Sequence, residues 1–97
     1  MIRTMFVGIF DPEKIAEYER LHNNLPVVIL HNLRESGVTD LKIYRLGTTA
    51  VMMIDRDEHF KPAEDFDQVA EDAWQKATGA CFVQRWREMA VIFELPE

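Results

Sequence analysis

Residues 17 to 26 read E-Y-E-R-L-H-N-N-L-P, and within them Tyr18 and His22 are four apart. On a helix that spacing puts both side chains on one face. An imidazole that titrates near neutral pH beside a phenol suits proton transfer to a bound substrate. The same spacing also suits a histidine that caps a helix end and answers its dipole. A second group with chemical potential lies in Q-R-W-R-E-M, residues 84 to 89. There Trp86 offers an apolar ring for the C–H face of a sugar, and Arg85 and Arg87 offer donors for hydroxyls. Tyr44 sits in L-K-I-Y-R-L and points either into a sheet interior or into a pocket.

Other chemistries find little footing. His22, His31 and His59 show no ligand spacing, and no C-x-x-C or H-x-x-x-H occurs, so no metal centre is expected. Gly47 stands alone rather than in a phosphate loop. Cys81 has no partner in the sequence to activate it and reads as buried packing. The acidic run Asp55-Arg56-Asp57-Glu58 reads as solvated surface, and Trp74 as core.

The elements that must position these residues follow from the patterning. Ile2 to Phe10 is apolar on both faces and rich in β-formers, as in a buried strand. Asp11-Pro12 then starts a helix, Asp as N-cap and Pro in the first turn. Ile15, Tyr18 and Leu21 or His22 form one face, and Asn23-Asn24 and Pro26 end it. A second helix is expected over 27–35, closed by Gly37. A hairpin follows, with strands over 41–46 and 50–54 around Gly47-Thr48-Thr49. Residues 55–64, with Pro62, read as loop, and 63–76 as a helix interrupted at Thr78-Gly79. Cys81 to Met89 reads as a further short helix, with Phe82, Arg85, Trp86 and Met89 on one face. Val91 to Leu95 fits either a last strand or a continuation of that helix.

The expected order is β-α-α-β-β-α-α-β, an α+β ferredoxin-like sandwich with helices on one face of a four-stranded antiparallel sheet. A chain of 97 residues is read as a single domain, residues 1–97. So small a chain leaves the second face of such a sheet to be buried against another copy, so a homodimer is expected.

Composition narrows the partners. With 47% hydrophobic and 29% charged residues the chain is globular in type. A net charge of −6 argues against binding nucleic acid or an anionic membrane surface. The chain shows no signal-peptide pattern and no apolar run of roughly 18 residues that could cross a bilayer. A lone cysteine permits no internal disulfide and fits a reducing compartment, so a cytoplasmic location is expected.

Taken in order, M-I-R-T-M-F-V, D-P-x-x-x-x-E-Y-x-R-x-H-N, L-R-E-S-G-V-T-D-L-K-I-Y and Q-R-W-R-E-M resemble the L-rhamnose mutarotase family. The likeness is dense through the first half, loosens between about Asp55 and Ala80, and returns at Trp86. It implies a dimeric α/β barrel of ferredoxin-like subunits. It also implies a cofactor-free isomerase that interconverts the α and β anomers of a free deoxysugar such as L-rhamnose or L-fucose. On that resemblance His22 is the proton donor and Tyr18 and Trp86 contact sugar, while Tyr44 and Arg87 are added as sugar contacts from their own side-chain chemistry. The departures are specific. Leu41 replaces a second sugar-binding tyrosine, Trp86-Arg87 stands for a Trp-Trp pair, and L-P-V-V replaces a W-P-E-L turn after the histidine. The family's tail is replaced by V-I-F-E-L-P-E. These changes point to a shifted sugar preference. They also motivate two alternatives, a non-catalytic small-molecule-binding protein and a monooxygenase of the same fold.

Overall fold

The computed structural model describes residues 1–60 and 65–97. Strand β1, Ile2–Phe10, lies inside a four-stranded sheet of order β2-β3-β1-β4, antiparallel at every pairing. Its inner face carries Phe6, Gly8 and Phe10. A Cβ on Gly8 would lie 2.8 Å from a ring carbon of Phe82, so the close approach of that ring requires glycine.

Asp11 accepts from the Glu13 backbone N–H and caps a short 3₁₀ turn over Pro12–Lys14. This turn leads into α1, Ile15–Asn23, and Pro26 begins α2, Val27–Glu35. Gly37, with φ of 80°, closes α2 in the left-handed region as expected. Strands β2, Val38–Leu46, and β3, Thr49–Arg56, form the hairpin, extending the first expected strand at its start and the second at both ends. Its two-residue loop takes positive φ at Gly47, which matches the twist of the flanking strands.

Helix α3, Gln68–Gly79, starts at Asp67, whose Oδ1 accepts from the Ala70 N–H at 2.9 Å. The expected break at Thr78-Gly79 does not occur. Thr78 bonds back to the Trp74 carbonyl at 2.9 Å and stays helical. A Cβ on Gly79 would meet the end of the flexible Arg85 side chain at 2.7 Å. The expected loop around Pro62 and the first two residues of the expected helix, Ala63 and Glu64, lie outside the described residues.

Two further expectations are corrected. Residues 81–89 do not form a helix; Phe82–Glu88 is strand β4, paired with β1. The sheet has a free edge beside β1, and the β-formers Phe82, Val83 and Trp86 fill it better than they fill a helix. Residues 91–97 form neither strand nor helix. The observed order is therefore β-α-α-β-β-α-β, still a ferredoxin-like α+β sandwich.

The tight core is aromatic. Phe10, Tyr18, Ala50 and Cys81 are buried together, with Phe82 and Trp86 packed on them. Phe10 stacks on Phe82 at 4.7 Å between ring centroids, and Tyr18 meets Phe82 edge-on at 5.2 Å. This cluster pins one end of α1 to β1 and β4. Away from it the helices stand off the sheet and enclose cavities.

Candidate active site

Helix α1 carries the central group. Its Tyr18 is 5% exposed and lies against Phe10, ring centroids 4.8 Å apart. One turn later His22 stacks on Tyr18 at 4.2 Å. The Nδ1 of His22 lies 2.9 Å from the Tyr18 carbonyl oxygen. A carbonyl oxygen can only accept, so Nδ1 carries the proton and donates. The ring is thereby held in one tautomer, with Nε2 left to face elsewhere.

Nε2 has a cavity to face. Between the helices and the sheet runs an inner space of about 330 Å³, with Trp74 and Trp86 among its walls. A second, outer space of about 380 Å³ is lined by Phe10, Glu19, Asn23 and Arg45. Tyr18, His22, Leu41 and Ile43 line both, so His22 stands where the outer mouth meets the inner chamber. The chamber's floor is apolar, with Met52 and Ile54 from β3. The mouth sets Glu19, Asn23 and Arg45 beside apolar Phe10, Leu41 and Ile43, and Arg45 approaches Glu19 there at 3.5 Å.

The electrostatics sort the titratable groups. Burial pushes the Tyr18 phenol well above its ordinary range, so it stays a neutral donor. Burial likewise raises the Cys81 thiol, and Cys81 is 2% exposed, so it is inert packing as expected.

Of the residues expected to carry function, the structure gathers three: Tyr18, His22 and Trp86. Trp86 leans on Phe82 at 4.9 Å from β4. Two register shifts between β1 and β4 bend that strand, and Arg85 reaches α3, donating to the Gln75 carbonyl at 3.2 Å. Tyr44 and Arg87 are not brought to the cavity. Tyr44, Val51, Val7 and Arg87 form one row across all four strands, on the face away from the helices.

Sequence reasoning assigned Trp74 to the core, yet its ring meets His22 edge-on, centroids 5.1 Å apart. The signal was available in α3: Glu71, Trp74, Gln75 and Thr78, at i, i+3, i+4 and i+7, all line the chamber. That face mixes one aromatic with three polar residues, which a packed core would not choose. His31, Glu35 and Asp65 also come together, ligand atoms within 4.8 Å, but they line neither cavity. His31 Nε2 and Asp65 Oδ2 lie 3.1 Å apart, within hydrogen-bond distance.

A histidine set in one tautomer, in an aromatic chamber on a ferredoxin-like sandwich, suits acid/base chemistry on a small molecule. The family model for L-rhamnose mutarotase matches residues 3–95. The L-fucose mutarotase of Xanthomonas campestris pv. campestris is 34% identical over 101 residues, covering 90% of this chain and 81% of that one. The crystal structure of an L-rhamnose mutarotase from Formosa agariphila superposes with a TM-score of 0.74 at 12% identity, covering 99% of this chain and 100% of that one. Tetracenomycin F2 cyclase from Streptomyces glaucescens shares the fold at a TM-score of 0.54 and 14% identity, covering 100% of this chain and 99% of that one. The chain belongs to the L-rhamnose mutarotase family and is a sugar mutarotase, an isomerase that exchanges anomers. The binding-protein and monooxygenase alternatives gain no comparable support, because a shared fold does not choose a function. Among the described residues, no helix is long and apolar enough to cross a membrane.

Proposed function

We propose that His22 is the proton donor of this mutarotase, that Tyr18 and Trp86 hold the sugar, and that the substrate is a free deoxyhexose such as L-rhamnose or L-fucose. One observation carries the assignment. The Tyr18 carbonyl takes the Nδ1–H of His22, so the proton given is the Nε2–H of the imidazolium, and His22 lies at the junction of mouth and chamber. The ring oxygen of a sugar entering from the mouth meets that nitrogen. Opening the ring needs a proton delivered to this oxygen and one removed from the anomeric hydroxyl, which acid and base groups accomplish without metal or cofactor. Trp86 supports the sugar's C–H face, and the apolar floor suits the methyl of a deoxysugar. The relative at 34% identity is an L-fucose mutarotase, which supports this substrate class.

The 97 residues act as one domain, and two copies pair through the outer sheet faces. Supporting the dimer is the row bearing Tyr44, Val51 and Val7, with Ile9 and Leu46 beside it, which no helix covers. The C-terminal Val91, Ile92, Phe93 and Leu95 are also exposed, Ile92 to 96%. Tyr44 and Arg87 belong to that interface rather than to the sugar shell of one protomer. The lone, free Cys81 supports a reducing, cytoplasmic setting.

Saturation-transfer NMR of anomer exchange tests the substrate, run on L-rhamnose, L-fucose, D-glucose and D-galactose. The expected result is acceleration for a deoxyhexose and little for the others. Equal acceleration of all four would overturn the substrate assignment.

A further inference from the structure

Ring opening by His22 leaves one role unfilled, because something must take the proton of the anomeric hydroxyl. Among the described residues, six titratable side chains line the two cavities: Tyr18, Glu19, His22, Arg45, Arg56 and Glu71. The arginines stay protonated and have no acceptor. Burial drives the Tyr18 phenol away from ionisation. His22 is committed as the acid. Two carboxylates remain. Glu19 belongs to the mouth, is exposed, and has the Arg45 guanidinium 3.5 Å away. Glu71 belongs to the chamber, on the α3 face that also carries Trp74.

We propose that Glu71 is the catalytic base of this mutarotase, a proposal that rests on the reading of His22 as the acid. The structure fixes Glu71 from two sides. Its Oε1 accepts from Gln75 Nε2 at 3.0 Å, and its Oε2 lies 3.5 Å from Asn32 Nδ2. Asn32 is 1% exposed and also clamps the start of α3. Its Nδ2 donates to the Asp67 carbonyl and its Oδ1 accepts from the Asp67 N–H, both at 2.9 Å. This clamp sets the rotation of α3, so Glu71 and Trp74 turn into the chamber together. Trp74 in turn reaches His22. Acid and base thus come from different helices, α1 and α3, that line one chamber of about 330 Å³.

The step balances. Protonated His22 gives its Nε2 proton to the ring oxygen as the C1–O5 bond breaks. The electron pair of the anomeric O–H bond becomes the carbonyl π bond, and its proton passes to the Glu71 carboxylate. The open aldehyde turns about C1–C2. On closure O5 attacks C1 from the other face, its proton returns to His22, and the Glu71 proton returns to O1.

Glu71→Gln keeps the shape and an acceptor oxygen for one of the two amide donors, Asn32 Nδ2 or Gln75 Nε2, but cannot accept a proton. Exchange by saturation-transfer NMR is expected to fall by about 100-fold or more. Sugar binding, followed by tryptophan fluorescence, and the thermal midpoint are expected to hold. In Glu71→Ala, added formate is expected to restore part of the exchange, which a purely structural role would not allow. Near wild-type exchange in Glu71→Gln, beside loss in His22→Ala, would overturn the base and leave the acid standing. Full exchange in both variants would overturn both.

Discussion

The Nδ1–H of His22 donates to the main-chain carbonyl of Tyr18, one helical turn before it, at 2.9 Å. The backbone of α1 therefore sets the tautomer of its own catalytic candidate, and no second carboxylate is needed to orient the ring. The tyrosine contributes twice: its carbonyl aims the imidazole, and its buried ring, 4.2 Å from that of His22, gives it a surface to stack on.

Trp74 closes the other side of the imidazole. Trp74→Leu is expected to raise KM for the sugar about fivefold, in line with about 1 kcal/mol for an aromatic contact. It is also expected to lower kcat, because His22 loses its edge contact. Steady-state polarimetry of mutarotation checks this; unchanged KM and kcat would return Trp74 to simple packing.

Asn32 is the buried hinge pin between α2 and α3. Asn32→Ala leaves the Asp67 N–H and carbonyl without their partners and is expected to cost about 2–3 kcal/mol in urea unfolding. Asn32→Asp keeps the acceptor for the Asp67 N–H but sets a carboxylate against the Asp67 carbonyl and near Glu71. It is expected to be no better than alanine at neutral pH.

Arg3 and Asp55 pair across β1 and β3 through two bonds of 2.8 and 2.9 Å. The Arg3 guanidinium, chiefly by hydrogen bonding, holds the Asp55 carboxyl below its ordinary range. A carboxyl lowered in the folded state stabilises it above the unfolded pKa of about 4, and that contribution fades as pH falls through the folded value. Asp55→Asn is therefore expected to lower the urea midpoint at pH 7, with the deficit shrinking below about pH 4. A deficit constant across that range would mean that packing, not ionisation, is lost.

The outer sheet face is the expected dimer surface. Sedimentation equilibrium should find a dimer, and Tyr44→Glu, at a position 54% exposed in the monomer, should dissociate it with unchanged circular dichroism. A Tyr44→Glu protein that stays dimeric would move the interface elsewhere.

Much of this architecture was legible in the residues. The run from Ile2 to Phe10, the Asp11-Pro12 start and the Gly37 and Gly47 stops are local signals, and each appears where its chemistry requires. Tyr18 and His22 share a helical face because the spacing dictates it. The late chain was harder to read, for a physical reason. Phe82, Arg85 and Trp86 suit a helical face by spacing, and bulges let a strand bring the same three toward α3. Only the free edge of β1, a long-range fact, decides between them. Trp74 was misread because a tryptophan carries the same apolar signal in a core and in a cavity wall. Tyr44 and Arg87 were read as sugar contacts from their side-chain chemistry, but they fall on the far side of the sheet, where alternation puts them.

The central claim is that His22 donates the proton that opens the sugar ring. Saturation-transfer NMR on the best sugar, comparing wild type with His22→Ala, tests it most directly. The account predicts a loss of about 100-fold or more in exchange, with the fold intact by circular dichroism. Exchange at the wild-type rate in a folded His22→Ala protein would contradict it.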